Sequence, residues 1–401
     1  MNILFLTISR FSDYTARGIY PDLLRKFARE GHEVYVVSPR ERRFGSQTGL
    51  IRQKQGTILG VKTLNLQKAN IVEKGLGTVL IESQFKSALK KYLNGVKWDL
   101  ILYSTPPITF PSVIKYLKEE NPSAKTYLLL KDIFPQNAVD LGMFSKESLV
   151  YSFFRNKEKQ LYRLSDYIGC MSPANVRFVC GHNPEISPER VEVAPNSIEL
   201  LSISPISLEE KVSIRMKYGI PADRPVFIYG GNLGKPQGID FLIKCLDVNA
   251  HRENGFFLII GTGTELPKLK KWYQETHPVA VKVMDGVPKA EYDVLIRSCD
   301  VGLIFLDHRF TIPNYPSRLL PYLENRMPVM CVTDPHSDIG KIAVENGYGI
   351  WCESNSVEGF TVAVDNMLAS DLAGMGENGY RFLCNNYLVD NTYSTIMAHY
   401  V

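Results

Sequence analysis

The chain has 401 residues, 45% of them hydrophobic and 22% charged, which is typical of a water-soluble globular protein with two domains. Its seven cysteines are odd in number and scattered without a CxxC pair, which argues against a disulfide framework and a cysteine zinc site. The net charge is +4, yet residues 1–100 hold 17 Lys and Arg against 8 Asp and Glu. That basic quarter predicts an anionic partner (lipid headgroups, a pyrophosphate-linked acceptor or nucleic acid) or else a solvated basic surface.

Apolar runs and amphipathic stretches alternate through the first half. Residues 2–9 predict a buried strand, residues 19–30 an amphipathic helix and residues 33–38 the next strand, which together imply a parallel sheet. Arginines and lysines crowd a predicted loop over residues 40–54, and residues 79–93 have helical spacing with lysines on the polar side. Strands are also expected at 58–66, 99–103, 125–130, 166–170 and 191–194, with helices at 111–119, 149–164 and 173–180.

The pattern loosens at residues 195–197, residues 202–207 resemble a linker, and the alternation then resumes. We therefore expect α/β architecture with two doubly wound domains, residues 1–196 and 197–386, whose ligands bind at the carboxyl ends of strands in a cleft between them. No signal-peptide start and no apolar run of about 18 residues occurs, which predicts a cytoplasmic protein at the inner face of the membrane. The second half predicts strands at 226–229, 256–260, 280–284, 301–305, 329–332 and 349–351, and helices at 239–248, 265–276, 289–298, 317–324, 339–345, 357–369, 372–386 and 391–401.

The stretch PVFIYGGNLGKPQGIDF, residues 225–241, combines a strand, a glycine turn and a helix start. Such a turn presents backbone N–H groups and a helix N-terminus to an anion, and Lys235 adds a positive charge. Its spacing is neither GxGxxG nor GxxxxGK[ST]. The pattern therefore predicts a phosphate site, although an ordinary turn between a strand and a helix has the same composition.

Three further loops follow predicted strands. Asp132 is either a carboxylate that accepts a proton from an attacking hydroxyl or a helix N-cap. In the segment DHRFTIPNYPS, Ser317 and Arg318 begin a helix and form a second candidate anion site. The backbone of residues 285–288 can contact a flat base or can be a plain turn.

The loop over residues 9–18 contains Arg10, Arg17 and Gly18, which predict contact with an anionic acceptor or simply a surface loop. No Ser/His/Asp order, Cys–His pair, HExxH or DxD motif stands out, so neither a hydrolase triad nor a bound metal is expected.

These motifs resemble the retaining GT-B glycosyltransferases of family 4. The resemblance rests on GGNLGKPQG, on DGVPKAEYDVLIRSCDVGLIFL and on VEVAPNSIEL, which is similar to the family's interdomain joint. YLLLKDIFPQNAVDLGMFSK and FTIPNYPSRLLPYLENRMPV resemble a subgroup of bacterial capsule, O-antigen and colanic-acid transferases that includes N-acetylfucosamine transferases. The resemblance implies two Rossmann-like domains facing across a cleft, with the last helix (about 387–401) packing back on the first domain.

It also implies transfer of a sugar, N-acetylated in this subgroup, from a UDP-sugar to a polyprenyl-diphosphate-linked acceptor at an anionic membrane surface. Nucleic acid is not an implied partner, and no cofactor or metal is implied, because protein dipoles and cations stabilise the leaving diphosphate. The implied catalytic residue is Asp132. The implied ligands are Gly231, Asn232, Leu233, Gly234, Lys235, Ser317 and Arg318 for the diphosphate, Val287, Pro288 and Glu324 for base and ribose, Asn314 and Tyr315 for the sugar, and Arg10, Arg17 and Gly18 for the acceptor.

The sequence departs from the family pattern in two places. Many members have Arg and Lys where Asn232 and Gln237 stand here, and many have a paired-glutamate motif whose second Glu binds the ribose. Pro321 occupies that second position, so we expect it to distort its helix, and Glu324 follows nearly one turn later. Two alternatives therefore stay open beside the transferase: a GT-B nucleotide-sugar epimerase and a catalytically degenerate subunit that binds sugar nucleotide.

Overall fold

The computed structural model describes residues 1–65, 71–201 and 206–400. The chain forms two compact units, Met1–Glu199 with Leu388–Val401, and Leu200–Tyr387. The expected boundary at 196/197 lies three residues before the division at 199/200. Within the described residues, no helix is long and apolar enough to cross a membrane.

The first unit is an eight-stranded sheet flanked by helices, with strand order β3-β4-β2-β1-β5-β6-β7-β8. Only β3 pairs antiparallel to its neighbour, so the expected doubly wound α/β architecture is confirmed. Its strands are β1 (Asn2–Leu6), β2 (Glu33–Glu41), β3 (Gly49–Gln53), β4 (Gly56–Thr63), β5 (Leu100–Ser104), β6 (Lys125–Leu130), β7 (Tyr167–Cys170) and β8 (Val191–Val193), and its helices are α1 (Ile19–Arg29), α2 (Ile71–Tyr92), α3 (Pro111–Glu120), α4 (Gln136–Asp140), α5 (Leu149–Leu164) and α6 (Pro173–His182).

The basic segment at residues 40–54 is not the loop that its charge predicts. It contains the end of β2 and the edge strand β3, which turns through residues 54–55 into β4. Arg40 lies across Gly60 in β4, where a side chain would collide with the guanidinium, and its Nη1 donates to the carbonyl of Gln47 (2.8 Å). Charged residues are common at the edge of a sheet, because the outer side of an edge strand has no neighbouring strand and faces solvent.

The second unit has a parallel sheet of six strands in the order β11-β10-β9-β12-β13-β14. In chain order this is 3-2-1-4-5-6, the order of the Rossmann fold. Its strands are β9 (Val226–Asn232), β10 (Phe256–Thr262), β11 (Val281–Asp285), β12 (Val301–Phe305), β13 (Val329–Thr333) and β14 (Gly349–Glu353), and its helices are α7 (Leu208–Lys217), α8 (Ile239–Val248), α9 (Leu266–Thr276), α10 (Lys289–Leu295), α11 (Leu319–Glu324), α12 (Ile339–Glu345), α13 (Val357–Leu368) and α14 (Leu372–Asn386).

Two helices of this unit differ from the sequence prediction. Helix α7 is present in the structure but was not predicted, although Ser207 and Glu210 form a capping box at its start. Residues 202–205 of the predicted linker lie outside the described residues. Helix α11 begins at Leu319 rather than at Ser317, so Pro321 falls in its first turn. The predicted distortion is therefore wrong, because an N–H at that position has no partner within the helix in any case.

The last helix, α15 (Val389–Met397), belongs to the first unit. The ring of Tyr393 packs edge-on against Phe27 of α1, and Ile396 is fully buried in the same core as strand residues such as Phe5 and Leu102. The separate core of the second unit contains Phe227, Ile259 and other strand residues, covered by α8 and α13. The central parallel strands of each sheet are thus buried, which leaves the strand ends as the places for polar loops.

Candidate active site

The strand order of the second unit reverses between β9 and β12, and ligands of such sheets bind in the crevice where this reversal occurs. The loop after β9 contains the predicted glycine turn, and the loop after β12 contains the predicted second anion site. The two loops are in contact, since the N–H of Asp307 donates to the carbonyl of Pro236 (3.0 Å). The structure therefore brings together the two segments that the sequence proposes for a diphosphate.

The loop after β9 contains fewer residues than its run of glycines indicates. Gly230 and Gly231 belong to β9, and the loop proper ends at Gly238, whose φ of 59° places it in the left-handed region before α8. A side chain at Gly238 would approach the backbone of Asp307 to 3.3 Å. Gly231 has φ 137° and is exposed, so it is the loop glycine at which an anion can approach the backbone closely.

Several N–H groups of this loop already have partners. Leu233, fully buried, donates to the carbonyl of Thr262 (2.8 Å), and Gly234 donates to Oε1 of Gln237 (3.2 Å). Oε1 of Gln237 also accepts from Nδ2 of Asn232 (2.9 Å). Asn232 and Gln237 thus hold the loop together by hydrogen bonds within it. The open cradle of backbone donors that the sequence predicts is correspondingly smaller.

The main positive group at this loop is Arg318, which comes from the loop after β12. Its guanidinium lies over the ring of Tyr229, 4.2 Å from the ring centre, and Nη2 is 3.5 Å from the position of a Cβ on Gly231. Nη1 is buried and has no hydrogen-bond partner within the described part of the chain. A buried guanidinium N–H without a partner is costly, and an oxyanion at Gly231 would satisfy it.

Tyrosine side chains that the sequence analysis did not identify support this arrangement. The hydroxyl of Tyr229 donates to the carbonyl of Asn232 (2.6 Å). The N–H of Gly230 donates to the hydroxyl of Tyr322 (3.3 Å), and the hydroxyl of Tyr292 occupies the space where a side chain on Gly230 would lie. Of these tyrosines, Tyr229 could be suspected from the sequence, because it lies near the end of a buried strand and directly before the glycines.

The rest of the loop after β12 is held by its own contacts. Arg309 binds the buried carboxylate of Asp307 through Nε (2.9 Å) and Nη2 (2.8 Å), and these bonds lower the pKa of Asp307 although burial opposes them. The N–H of Asn314 donates to Ser337 Oγ (2.9 Å), and the hydroxyl of buried Tyr315 is hydrogen-bonded to that of Tyr387. Asn314 and Tyr315 therefore shape the loop with groups that are already engaged.

Lys235 and Ser317 are exposed on these two loops, and the ammonium group of Lys235 has no hydrogen bond or ion pair to any described residue. Both remain available to a ligand. Val287 and Pro288 follow β11, with Val287 half-buried and Pro288 exposed as the residue before α10. They lie at the same carboxyl edge as the glycine loop, where a base can contact them.

Glu324 is not at this edge. It is buried at the end of α11, about 9 Å along the helix from Arg318. Its Oε1 accepts from the N–H of Leu201 (3.2 Å), and it lines a cavity of about 400 Å³ with Asp300 and Pro328, which precede β12 and β13. Glu324 therefore lies at the amino edge of the sheet, so its expected role as a ribose ligand is not supported.

In the first unit, Asp132 follows β6 at the carboxyl edge of the sheet. The residue is partly accessible, but protein atoms surround its carboxylate, and this burial raises the pKa of Asp132. Nδ2 of Asn137 donates to Oδ1 (2.8 Å) and opposes that rise. Helix α4 begins only at Gln136, so Asp132 is not the helix N-cap of the alternative interpretation. A carboxyl group with a raised pKa suits proton transfer.

Neighbouring Lys131 is half-buried, and the loss of solvent around its ammonium group lowers its pKa to about 7. Its Nζ donates to the carbonyl of Ala194 (3.0 Å) at the end of β8. The lysine thus ties two strand exits of the first unit together next to Asp132.

The predicted acceptor loop follows β1. Arg10 is exposed and lies 4.3 Å from the ring centre of Phe44, whereas Arg17 is half-buried and engaged. The N–H of Gly18 donates to the buried carboxylate of Asp22 (3.0 Å). Gly18 therefore fixes the start of α1, and its N–H is not open to an acceptor.

Comparison with known proteins agrees with this geometry. Residues 210–382, nearly all of the second unit, match the family model "Glycosyl transferases group 1". The "Probable glycosyltransferase WbjE" of Pseudomonas aeruginosa is 24% identical over 333 residues, which cover 80% of this chain and 78% of that protein. The "Putative colanic acid biosynthesis glycosyl transferase WcaI" of Escherichia coli K12 is 22% identical over 183 residues, 45% of this chain and 44% of that protein.

Solved structures share the fold over the whole chain. Sucrose-phosphate synthase of Thermosynechococcus elongatus has a TM-score of 0.74 at 15% identity and covers 99% of this chain and 98% of its own. HepE of Anabaena in complex with UDP-glucose has a TM-score of 0.69 at 14% identity, over 100% and 99% of the two chains. Residues 210–382 are thus similar to group 1 glycosyltransferases, and the chain as a whole has the GT-B fold.

Proposed function

We propose that this protein transfers an N-acetylated amino sugar from a UDP-sugar to a polyprenyl-diphosphate-linked acceptor, with retention, in bacterial surface polysaccharide assembly. The observation that carries the proposal is the unpartnered Nη1 of Arg318 over Gly231, at the crevice where a Rossmann sheet binds phosphates. WcaI is described as a putative colanic acid biosynthesis glycosyl transferase, and the HepE complex contains UDP-glucose. Both support a sugar-nucleotide donor and a polysaccharide product.

In the proposed reaction, the acceptor hydroxyl attacks the anomeric carbon from the face that the diphosphate leaves. A new C–O bond forms, the bond from the anomeric carbon to the β-phosphate oxygen breaks, and the departing phosphate takes the hydroxyl proton. Arg318 and Lys235 stabilise the charge that develops on the diphosphate without a metal ion. Ser317 adds a hydrogen bond, while Val287 and Pro288 contact the base.

Asp132 is the proposed catalytic carboxylate of the first unit. It lies at the carboxyl edge of that unit's sheet, and burial keeps its pKa raised. Its role is to orient the acceptor hydroxyl by accepting its hydrogen bond before the proton passes to the departing phosphate. Arg10 and Arg17 are proposed to meet the acceptor's diphosphate from the loop after β1.

The test is acceptor-dependent release of UDP. The intact protein is incubated with UDP-hexoses and UDP-N-acetylhexosamines, with and without a polyprenyl-diphosphate monosaccharide in vesicles. We expect UDP release that requires the acceptor and is fastest with an N-acetylated donor, and proton NMR of the product should show the donor's anomeric configuration. Absence of UDP release from every donor would overturn the proposal.

A second candidate is a degenerate subunit that binds sugar nucleotide without transferring the sugar. The position of Glu324 at the amino edge favours it, since no glutamate replaces the ribose ligand at Pro321. UDP binding without any product would support this candidate. So would product formation that is unchanged in the Asp132→Asn variant. The epimerase alternative predicts instead that a donor is converted when no acceptor is present.

We also propose that the first unit binds the cytoplasmic face of an anionic membrane. Phe44 is 45% exposed between the guanidinium groups of Arg10 (4.3 Å) and Arg43 (4.8 Å). Leu50 and Ile51 are 40% exposed on the nearby strand β3. Each well-placed cation contributes roughly 1 kcal/mol at such a surface. Cosedimentation with anionic but not neutral vesicles at low salt tests this, and a Phe44→Ala variant should sediment less.

A further inference from the structure

Arg25 of α1 holds the loop after β1 by its backbone. Its Nη1 donates to the carbonyls of Tyr14 and of Ala16, the latter at 2.7 Å. Its Nη2 donates to Asp22 (2.6 Å) and to Glu199 (2.9 Å), and its Nε donates to Glu199 (3.2 Å). All five N–H donors of the guanidinium are therefore in use, two of them on the loop.

The partners of Arg25 are tied to each other as well. The carboxylate of Asp22 is fully buried and accepts from the N–H groups of Gly18 (3.0 Å) and Glu199 (3.2 Å). Glu199 is the last residue of the first unit before the chain enters the second. The side chains of Arg25 and Glu199 are only 17% and 22% exposed, so their pairing is weakly screened by solvent. One buried cluster thus connects the loop to the end of the unit's main segment.

Tyr14 anchors the same loop to the sheet. The side chain of Tyr14 is fully buried, with its hydroxyl donating to the carbonyl of Val34 (3.1 Å), and its N–H donates to Oε1 of Gln53 (3.0 Å). Between Tyr14 and Gly18, Arg25 binds the carbonyls of Tyr14 and Ala16, while the N–H of Thr15 donates to Oδ1 of Asp13 (2.8 Å). Arg25 is therefore one of the side chains that give this stretch its shape, and it acts from helix α1.

We infer that Arg25 is a positioning residue for acceptor binding, acting through the backbone of residues 14–18 rather than by touching substrate. The inference rests on the proposed function, in which this loop meets the acceptor's diphosphate. A loop held in one conformation before binding loses less entropy on binding, and the gain appears as affinity for the ligand that the loop meets. Donor affinity, which depends on the second unit, should not change.

The test is steady-state kinetics of Arg25→Lys in the full chain. Lysine keeps the charge but has three donors on one atom, which cannot reach two carbonyls and two carboxylates together. We expect the acceptor KM to rise about tenfold, which corresponds in free energy to the loss of one charge-assisted hydrogen bond. The kcat should stay within about threefold of wild type, and the affinity for UDP should not change. An unchanged acceptor KM would overturn the inference.

Lys26→Gln is the matched control. Lys26 is the next residue of α1 and pairs with Glu30 (2.6 Å) and Asp390 (2.7 Å), but neither lies in the loop. We expect this variant to keep the wild-type acceptor KM. An equal rise in both variants would show a general effect of α1 and would contradict a specific role of Arg25.

A milder variant covers the case in which Arg25→Lys does not fold. Glu199→Gln keeps the shape of the side chain and removes the charge that holds Arg25, so the acceptor KM should rise severalfold, and less than additively with Arg25→Lys. Independent effects of the two changes would count against the cluster. If wild-type protein releases no UDP with acceptor present, the proposed function fails. If it does, and the KM of both variants is unchanged, only this inference fails.

Discussion

Replacement of Arg318 tests how the donor diphosphate is held. Its Nη1 is buried without a partner, and the guanidinium rests on Tyr229 beside Gly231. In the free protein that N–H is unsatisfied, whereas a phosphate oxygen would complete it. We therefore expect the Arg318→Ala variant to lose affinity for UDP without losing stability.

The magnitude follows from one charge-assisted hydrogen bond, about 1.5–3 kcal/mol, which corresponds to a roughly 10- to 150-fold weaker UDP affinity. Arg318→Lys keeps the charge but not the fork geometry or the ring stacking, and we expect about a tenfold loss. In the free protein, relief of the unsatisfied N–H offsets the lost stacking on Tyr229, so the free energy of unfolding should stay within about 1 kcal/mol of wild type.

The assay is calorimetric titration of UDP together with urea unfolding. Arg309→Lys is the control, because Arg309 lies on the same loop and its guanidinium is occupied by Asp307. This control should bind UDP within twofold of wild type. Wild-type affinity in Arg318→Ala, or equal losses in Arg318→Lys and Arg309→Lys, would refute the reasoning.

Four further outcomes follow from polar groups that have little contact with solvent. Gln237→Ala leaves the N–H of Gly234 without its partner, so the free energy of unfolding in urea should fall by about 1–3 kcal/mol and UDP should bind more weakly. Burial raises the pKa of Asp132 in the folded protein. Protonated Asp132 therefore favours the folded state at low pH, and this contribution to stability is lost as pH rises through the raised pKa. Asp132→Asn should therefore unfold at higher denaturant concentration than wild type at neutral pH but not at acidic pH. Removal of the opposing hydrogen bond in Asn137→Ala should move the acidic limb of the kcat–pH profile to higher pH. The pKa of Lys131 is lowered from 10.5 to about 7, so the unfolded chain holds more protons between these values. Wild-type stability should rise with pH across that window, and Lys131→Met should abolish the rise.

The general fold is predictable from the sequence because its parallel strands are buried on both faces. Such strands appear as continuous apolar runs, and helix spacing between them is distinct, so helix α8 was predicted with its observed bounds, Ile239–Val248. The sequence does not predict the edge strand β3, because it is short and largely exposed and has no continuous buried apolar run. Helix α7 was missed although its capping box is visible in the sequence.

The candidate site was predictable only in part. The glycine turn, Arg318 and Asp132 are visible because each follows an apolar strand. The contact of Arg318 with Tyr229 joins positions 89 residues apart, and no spacing rule reveals it. The position of Glu324 depends on where α11 begins and on its course from the carboxyl edge to the amino edge of the sheet. Such placement is a property of the packed fold and not of local sequence.

A crystal structure of the protein with UDP tests the central claim most directly. We expect a diphosphate oxygen within about 2.7–2.9 Å of Arg318 Nη1, over Gly231, with the base against Val287 and Glu324 still bonded to Leu201. A diphosphate bound elsewhere, or bound at the glycine loop with Arg318 Nη1 still unpartnered, would contradict this account.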